Sequence, residues 1–225
     1  SWAQFGSISS QYCIYSTESD IPIKEALLEN GNRIILLLSN SDAYYDKTEN
    51  ARGEHDFWVL CLDPNDQIVW QKTIGGIGFD LPSGLLITED QSIYICGSTL
   101  SPPSFEQTNE LYGDTDAWLI KMNSTGTILW NKNYGGAQDD DFNDLIELPS
   151  GNILTFGVSY SGVSGNKTST NYGWSDIWIM KLSPNGEIIN DLSIGGEDHE
   201  LKPIVIQTAP NQIKLAAFSY SDISG

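Results

Sequence analysis

Residues 116–162 read DAWLIKMNSTGTILWNKNYGGAQDDDFNDLIELPSGNILTFGVSYSG. Ala117 to Asn123 is apolar and rich in strand-forming residues, and Asn123-Ser124-Thr125-Gly126 supplies a turn. Thr127 to Tyr134 returns as a second strand, which Gly135-Gly136 breaks. Phe142 to Leu148 forms a third strand, Pro149-Ser150-Gly151-Asn152 turns the chain, and Ile153 to Tyr160 forms a fourth. The connection that follows, Ser161 to Gly173, is long and rich in Gly, Ser, Asn and Thr.

The same pattern recurs in a strict register of 60 residues. Trp58, Trp118 and Trp178 each stand two residues after an aspartate, in Asp56-Phe57-Trp58, Asp116-Ala117-Trp118 and Asp176-Ile177-Trp178. Trp70 and Trp130 keep the spacing, with Asn190 in the third slot. So do the pairs Gly75-Gly76, Gly135-Gly136 and Gly195-Gly196. Ser41, Ser101, Ser161 and Ser221 follow suit. The chain divides into a partial unit, 1–55, and units 56–115, 116–175 and 176–225. By register, Ile23 to Glu29 is a strand despite a locally helical composition.

A lone four-stranded antiparallel sheet leaves both faces wet, and radial stacking of such sheets buries them. The repeat therefore predicts an all-β chain forming one β-propeller domain of about four blades. The repeated tryptophans would fill the wedge between twisted sheets. Residues 1–55 lack the Asp-x-Trp strand, and a further strand slot falls around Gln11 to Tyr15. These partial units predict a longer native chain, with more blades in the parent protein.

Composition removes other classes. With 30 acidic and 11 basic residues the formal charge is −19, which repels nucleic acid and anionic lipid. Seven Trp, ten Tyr and seven Phe argue against disorder. The longest apolar run, Ile34 to Leu38, is too short to span a bilayer. Cys13, Cys61 and Cys96 form no C-x-x-C pattern and read as small buried side chains.

Asp116 to Gly162 resembles the bacterial β-propeller repeat of SBBP type, common in secreted and surface proteins of Bacteroidota. The resemblance extends over almost the whole chain in four successive registers. It implies an extracytoplasmic protein of the periplasm, outer membrane or medium. The stretch Thr125 to Trp130 also resembles the tryptophan-docking turn of quinoprotein propellers. Asn65-Asp66 and Asn185-Gly186 depart from it, and no adjacent cysteine pair exists to sit over a quinone, so no cofactor is expected.

Four positions in one phase, Asp20, Asp80, Asp140 and Glu200, place a carboxylate after each glycine turn. Such a ring either binds a cation or substrate, or accepts backbone N–H groups of its own turn; repetition favours the second. Asp139, Asp141 and Asn143 have the D-x-D-x-N spacing of a calcium loop, but Asp144 and Ser150 occupy the slots for Gly and Glu. Ser159 recurs as Ser39, Thr99 and Ser219, so a structural hydroxyl outweighs a nucleophile. A sialidase Asp-box is absent, while a glycosidase pair among the carboxylates stays open, because its separation is spatial. The loops Asp42 to Arg52, Pro102 to Tyr112 and Gly162 to Tyr172 share one phase and should gather on one face. Their Tyr44, Tyr45, Phe105, Tyr112 and Tyr172, with adjacent Trp174, are candidates for partner binding.

These features point to a non-catalytic interaction module. The lineage of the resembling repeats suggests a subunit, plug or cargo of a Bacteroidota surface-secretion (type IX) assembly. The competing reading is a lectin-like or glycoside-hydrolysing propeller that binds glycan. The partial units predict that mass spectrometry of the native product returns more than the 24.8 kDa of this chain; a match to 24.8 kDa would refute the expectation.

Overall fold

The computed structural model describes Ile14, residues 16–210 and residues 212–222. All regular structure among them is β. Strands β1 (Asp20–Leu27), β2 (Arg33–Ser39), β3 (Asp56–Leu62) and β4 (Ile68–Ile74) form one antiparallel sheet in chain order. A second sheet contains β5 (Asp80–Ile87), β6 (Ile93–Thr99), β7 (Asp116–Met122) and β8 (Ile128–Tyr134). The third contains β9 (Asp140–Glu147), β10 (Ile153–Ser159), β11 (Asp176–Leu182) and β12 (Ile188–Ile194). Strands β13 (Glu200–Ala209) and β14 (Gln212–Ser219) pair as a two-stranded sheet. The strand reading of Ile23 to Glu29 holds for β1, and the slot at Gln11 to Tyr15 lies outside the described residues except for Ile14.

The hydrogen-bonded sheets straddle the sequence units, each joining the second half of one to the first half of the next. The repeat alone does not set that phase. The glycine pairs do, because pairing stops at Ile74, Tyr134 and Ile194, immediately before each Gly-Gly.

Tight turns close the hairpins with one left-handed residue each. Gly31 (φ +84°), Gln91 (φ +62°) and Gly151 (φ +75°) serve the first hairpins of the three sheets. Asp66, Gly126 and Gly186 serve the second. This is the turn-plus-bulge hairpin, in which a single residue at positive φ matches the strand twist.

Each tryptophan of the Asp-x-Trp strand is fully buried. Trp118 shares a core cluster with Phe57, Ile34 and Leu36 of the first sheet, its ring 5.3 Å from that of Phe57. Trp178 shares a cluster with Tyr94, Leu119 and Tyr134 of the second sheet, with Phe142 stacked at 5.6 Å. Trp58 packs with Leu37, Leu60 and Ile14. Trp118 and Trp178 thus fill the inter-sheet space assigned to them by the repeat. Their N–H groups are satisfied thirteen residues on, by Gln71 (3.1 Å), Asn131 (3.2 Å) and Asp191 (2.9 Å).

The other tryptophan series crosses between sheets. Trp70 donates to the carbonyl of Ser124 at 3.2 Å, and its ring lies over Gly126, where a Cβ would come within 2.8 Å of it. Trp130 lies over Gly186 in the same way.

The first strands converge. β5 packs on both β1 and β9, and Lys24 of β1 reaches past the second sheet to Asp144 of β9 at 2.6 Å. Within the second sheet the bulged pairing of β5 with β6 depends on glycine: a Cβ on Gly97 would overlap the carbonyl oxygen of Leu81. Cys61 and Cys96 are free and buried as expected; Cys13 lies outside the described residues. Truncating Trp118 to Ala should cost about 3–5 kcal/mol in urea denaturation. Gly97→Ala should cost about 1–3 kcal/mol through overpacking, and a variant as stable as the parent would contradict the packing described.

Candidate binding face

The long loops are built on a buried carboxylate frame. Asp80 Oδ2 accepts the N–H of Gly76 at 2.6 Å and the hydroxyl of Ser101 at 2.9 Å. Ser101 Oγ in turn accepts the N–H of Gly78 at 2.9 Å. Asp140 repeats this with Gly136 (2.7 Å) and Ser161 (2.8 Å), and Glu200 with Gly196 (2.9 Å) and Ser221 (2.7 Å). Asp20 accepts from Ser16 and Ser41. Ser39, Thr99, Ser159 and Ser219 each accept the backbone N–H two residues on. The carboxylate phase therefore holds its own turns, and the recurring hydroxyl is structural.

A second carboxylate series, the aspartates of the Asp-x-Trp pattern, anchors the far end of each loop. Asp56, Asp116 and Asp176 accept the N–H groups of Arg52 (2.7 Å), Tyr112 (2.8 Å) and Tyr172 (2.6 Å). The two series meet across the glycine pairs: a Cβ on Gly75 would strike Asp56 Oδ1 and stand 3.0 Å from Asp80 Oδ2. Gly135 separates Asp116 from Asp140, and Gly195 separates Asp176 from Glu200, in the same manner. Oδ1 of Asp20, Asp56, Asp80, Asp116, Asp140 and Asp176 has no hydrogen-bond partner. Burial, reinforced by the neighbouring carboxylate, pushes Asp56 and Asp116 up to about 6, and raises Asp176. Burial also raises Asp80 and Asp140.

Beneath each loop lies a buried nitrogen donor in the 60-residue register, Lys47, Gln107 or Lys167. Lys47 Nζ donates to the Ser41 carbonyl at 2.5 Å and sits 5.7 Å from the Trp58 ring. Lys167 Nζ donates to Ser169 O at 2.7 Å and lies 5.8 Å from the Trp178 ring. Gln107 Nε2 donates to the carbonyls of Ser101 and Asn109 at 2.8 and 2.9 Å. Burial lowers both lysines. The signal for this pin was present as Lys47-Thr48, Gln107-Thr108 and Lys167-Thr168.

The three loops touch in series and share one end of the sheets. Arg52 of the first loop pairs with Glu106 of the second at 2.9 Å, and Tyr112 of the second packs against Gly165 of the third. Tyr44, Tyr45, Phe105, Tyr112, Tyr172 and Trp174 are 48–72% exposed. Two of them stand on strained backbone. Tyr45 (φ +49°) and Phe105 (φ +50°) occupy the left-handed region at the loop tips, where the third loop has Gly165 (φ +57°).

The D-x-D-x-N segment lies in a strand from Asp140 onward. β9 runs through it from Asp140, Asp141 accepts the N–H of Val158 at 2.9 Å, and Asp144 pairs with Lys24. An extended strand spreads Asp139, Asp141 and Asn143 along its length instead of wrapping them round an ion. No group of three metal-ligating side chains occurs among the described residues. His199 Nδ1 meets Ser175 Oγ at 3.0 Å, with its ring stacked on Trp174 at 6.2 Å.

The chain matches no protein-family profile and no curated protein. It is similar to a protein of unknown function from Dyadobacter fermentans, at 13% identity and a TM-score of 0.52, over 84% of this chain and 58% of that one. That likeness concerns the fold alone. Variants of the Synechocystis apocarotenoid oxygenase align over 88% of this chain and 49% of theirs, at 14–15% identity and TM-scores of 0.42–0.43. The chain thus spans less than two thirds of these neighbours.

The acid frame carries a pH signature. A carboxyl with a raised native pKa contributes stability that is complete below its unfolded value, about 4, and is lost as pH rises through about 6. Asp191 acts oppositely: against its burial, bonds from Ser169, Thr168 and the Trp178 indole hold it at about 2, so its contribution is lost only in stronger acid. The melting temperature should therefore fall between pH 4.5 and 7.5 by circular dichroism, and Asp116→Asn should flatten that fall. A Tm that climbs over this range would contradict the assignment.

Proposed function

We propose that the stacked sheets are blades of a β-propeller and that the chain is a non-catalytic, extracytoplasmic protein-interaction module whose loop tips grip a protein partner. The propeller reading is supported by convergence of the first strands and by the Lys24–Asp144 pair reaching across them. The SBBP-type resemblance adds the expected setting, a Bacteroidota surface-secretion assembly in which the chain serves as subunit, plug or cargo.

The observation that carries the interaction reading is the backbone of Tyr45 and Phe105. A left-handed residue with a bulky side chain costs about 1–3 kcal/mol, and glycine, used in the third loop, would remove that cost. Tyr45 meets Tyr44 edge-on at 4.1 Å and the Arg52 guanidinium lies 5.6 Å from the Phe105 ring, yet both rings stay largely turned to solvent. Such side chains are what partner-binding loops present, large in contact area and low in conformational entropy.

The test separates stability from binding. The double variant Tyr45→Gly, Phe105→Gly should be as stable as the parent or about 1 kcal/mol more so. Immobilised parent protein should retain a defined protein from native-host membrane extract, identified by mass spectrometry, and the double variant should lose it. Equal retention by both would overturn the reading.

A further inference from the structure

Where the chain enters and leaves the first hairpin of each sheet, four phases of the register change character from copy to copy. In the second sheet they hold Ile77, Phe79, Leu81 and Leu100, which are 40–58% exposed. The first sheet has Thr17, Ser19, Ile21 and Asn40 there, and the third has Ala137, Asp139, Asp141 and Tyr160. The two-stranded sheet has Glu197, His199, Leu201 and Tyr220. Among the described residues, only the second sheet is apolar at all four. It also has a neighbour on each face, because Trp118 packs on the first sheet and Trp178 of the third sheet packs on the second. The exposure is therefore not that of an end sheet.

The backbone holds the patch together. Leu100 N–H donates to the Phe79 carbonyl at 2.9 Å, and Leu81 pairs with Ser98 inside the sheet. Ile77 N–H donates to Ser104 Oγ at 3.0 Å. The Phe79 ring is stacked on the His55 imidazole at 5.3 Å. Apolar side chains grouped in the open on a fixed backbone mark a contact surface.

Charge defines what it contacts. Glu54 is exposed and donates its N–H to the Gly78 carbonyl at 3.1 Å, which sets it beside Ile77 and Phe79. Asp114 and Asp139, at the phases of Glu54 and Phe79 on the next copy, are exposed as well. The basic residues in the described loops and turns at this end are Lys47, Arg52 and Lys167. Both lysines are buried, and Arg52 is held by Glu49 and Glu106 at 2.9 Å. A second copy of a chain of charge −19 would bring like charge to like. A segment with apolar anchors between lysines or arginines matches both the patch and its rim.

We infer that the patch of Ile77, Phe79, Leu81 and Leu100 docks a basic peptide segment of a protein partner. Its apolar side chains lie on Phe79, and its cationic side chains face the acidic rim that includes Glu54. The inference rests on the protein-partner reading and adds the chemistry of the partner to it.

The peptides KKLLKK, KKFFKK and KKWWKK are titrated into ¹⁵N-labelled protein, with KKSSKK and EEFFEE as controls. At least one of the three should give saturable amide shifts centred on Ile77, Phe79 and Leu100. It should bind about tenfold or more tighter than KKSSKK, and EEFFEE should not bind. The variant Ile77→Thr, Phe79→Ser, Leu100→Asn carries the first sheet's residues at these phases and should lose about tenfold or more in affinity. Phe79→Ser alone serves if the triple variant does not fold. No saturable shift from any of the three, equal binding of KKSSKK, or unchanged affinity in a folded variant would overturn the inference. A protein retained from membrane extract with no peptide bound sinks the patch and spares the loop tips; peptide binding with no protein retained does the reverse.

Discussion

Every sheet junction in this protein rests on one buried carboxylate that takes a backbone N–H from a Gly-Gly turn and a hydroxyl from a serine. Asp80 and Asp140 show the arrangement in full, and Glu200 reaches the same donors with a longer side chain. The Oδ2 atoms of Asp80 and Asp140 each take both donors, so the turn, the serine and the first strand fix one another. The glycines follow from this requirement. At Gly75, Gly135 and Gly195 a side chain would occupy the space where the two carboxylate series approach. The acids that make up the charge of −19 are, in these positions, internal parts of the scaffold.

Much of the architecture was legible because a repeat multiplies weak signals. Ile23 to Glu29 is helical in local composition, and only its register with β5 and β9 identifies it as a strand. The tryptophans were legible for the same reason. What the repeat concealed was its own phase, because a periodic string can be cut anywhere, whereas antiparallel strand pairing stops at the glycine pairs. The second carboxylate series was hidden by its neighbours: Asp56, Asp116 and Asp176 were read as markers of the tryptophan, not as anchors of the loop four residues before them.

The candidate surfaces were legible in part. Position and composition of the loops pointed to one face, and the aromatics named there are exposed. Backbone conformation was not legible from Tyr45 or Phe105 alone. Its signal was Gly165 at the same phase, and only comparison across copies reveals it. The unequal loop junctions were beyond sequence reading, because Arg52 pairs with Glu106 across the first whereas Tyr112 packs on Gly165 across the second. Identical scaffolds with unequal fillings are how a repeat protein acquires a single site.

The crossing tryptophans give the array a direction. Trp70 docks on the turn at Gly126, and Trp130 on the turn at Gly186, always from the earlier sheet to the later. Each indole is therefore synthesised before the turn that receives it. The outer hairpins of the second and third sheets each meet an indole already made, and Asn190 ends the series.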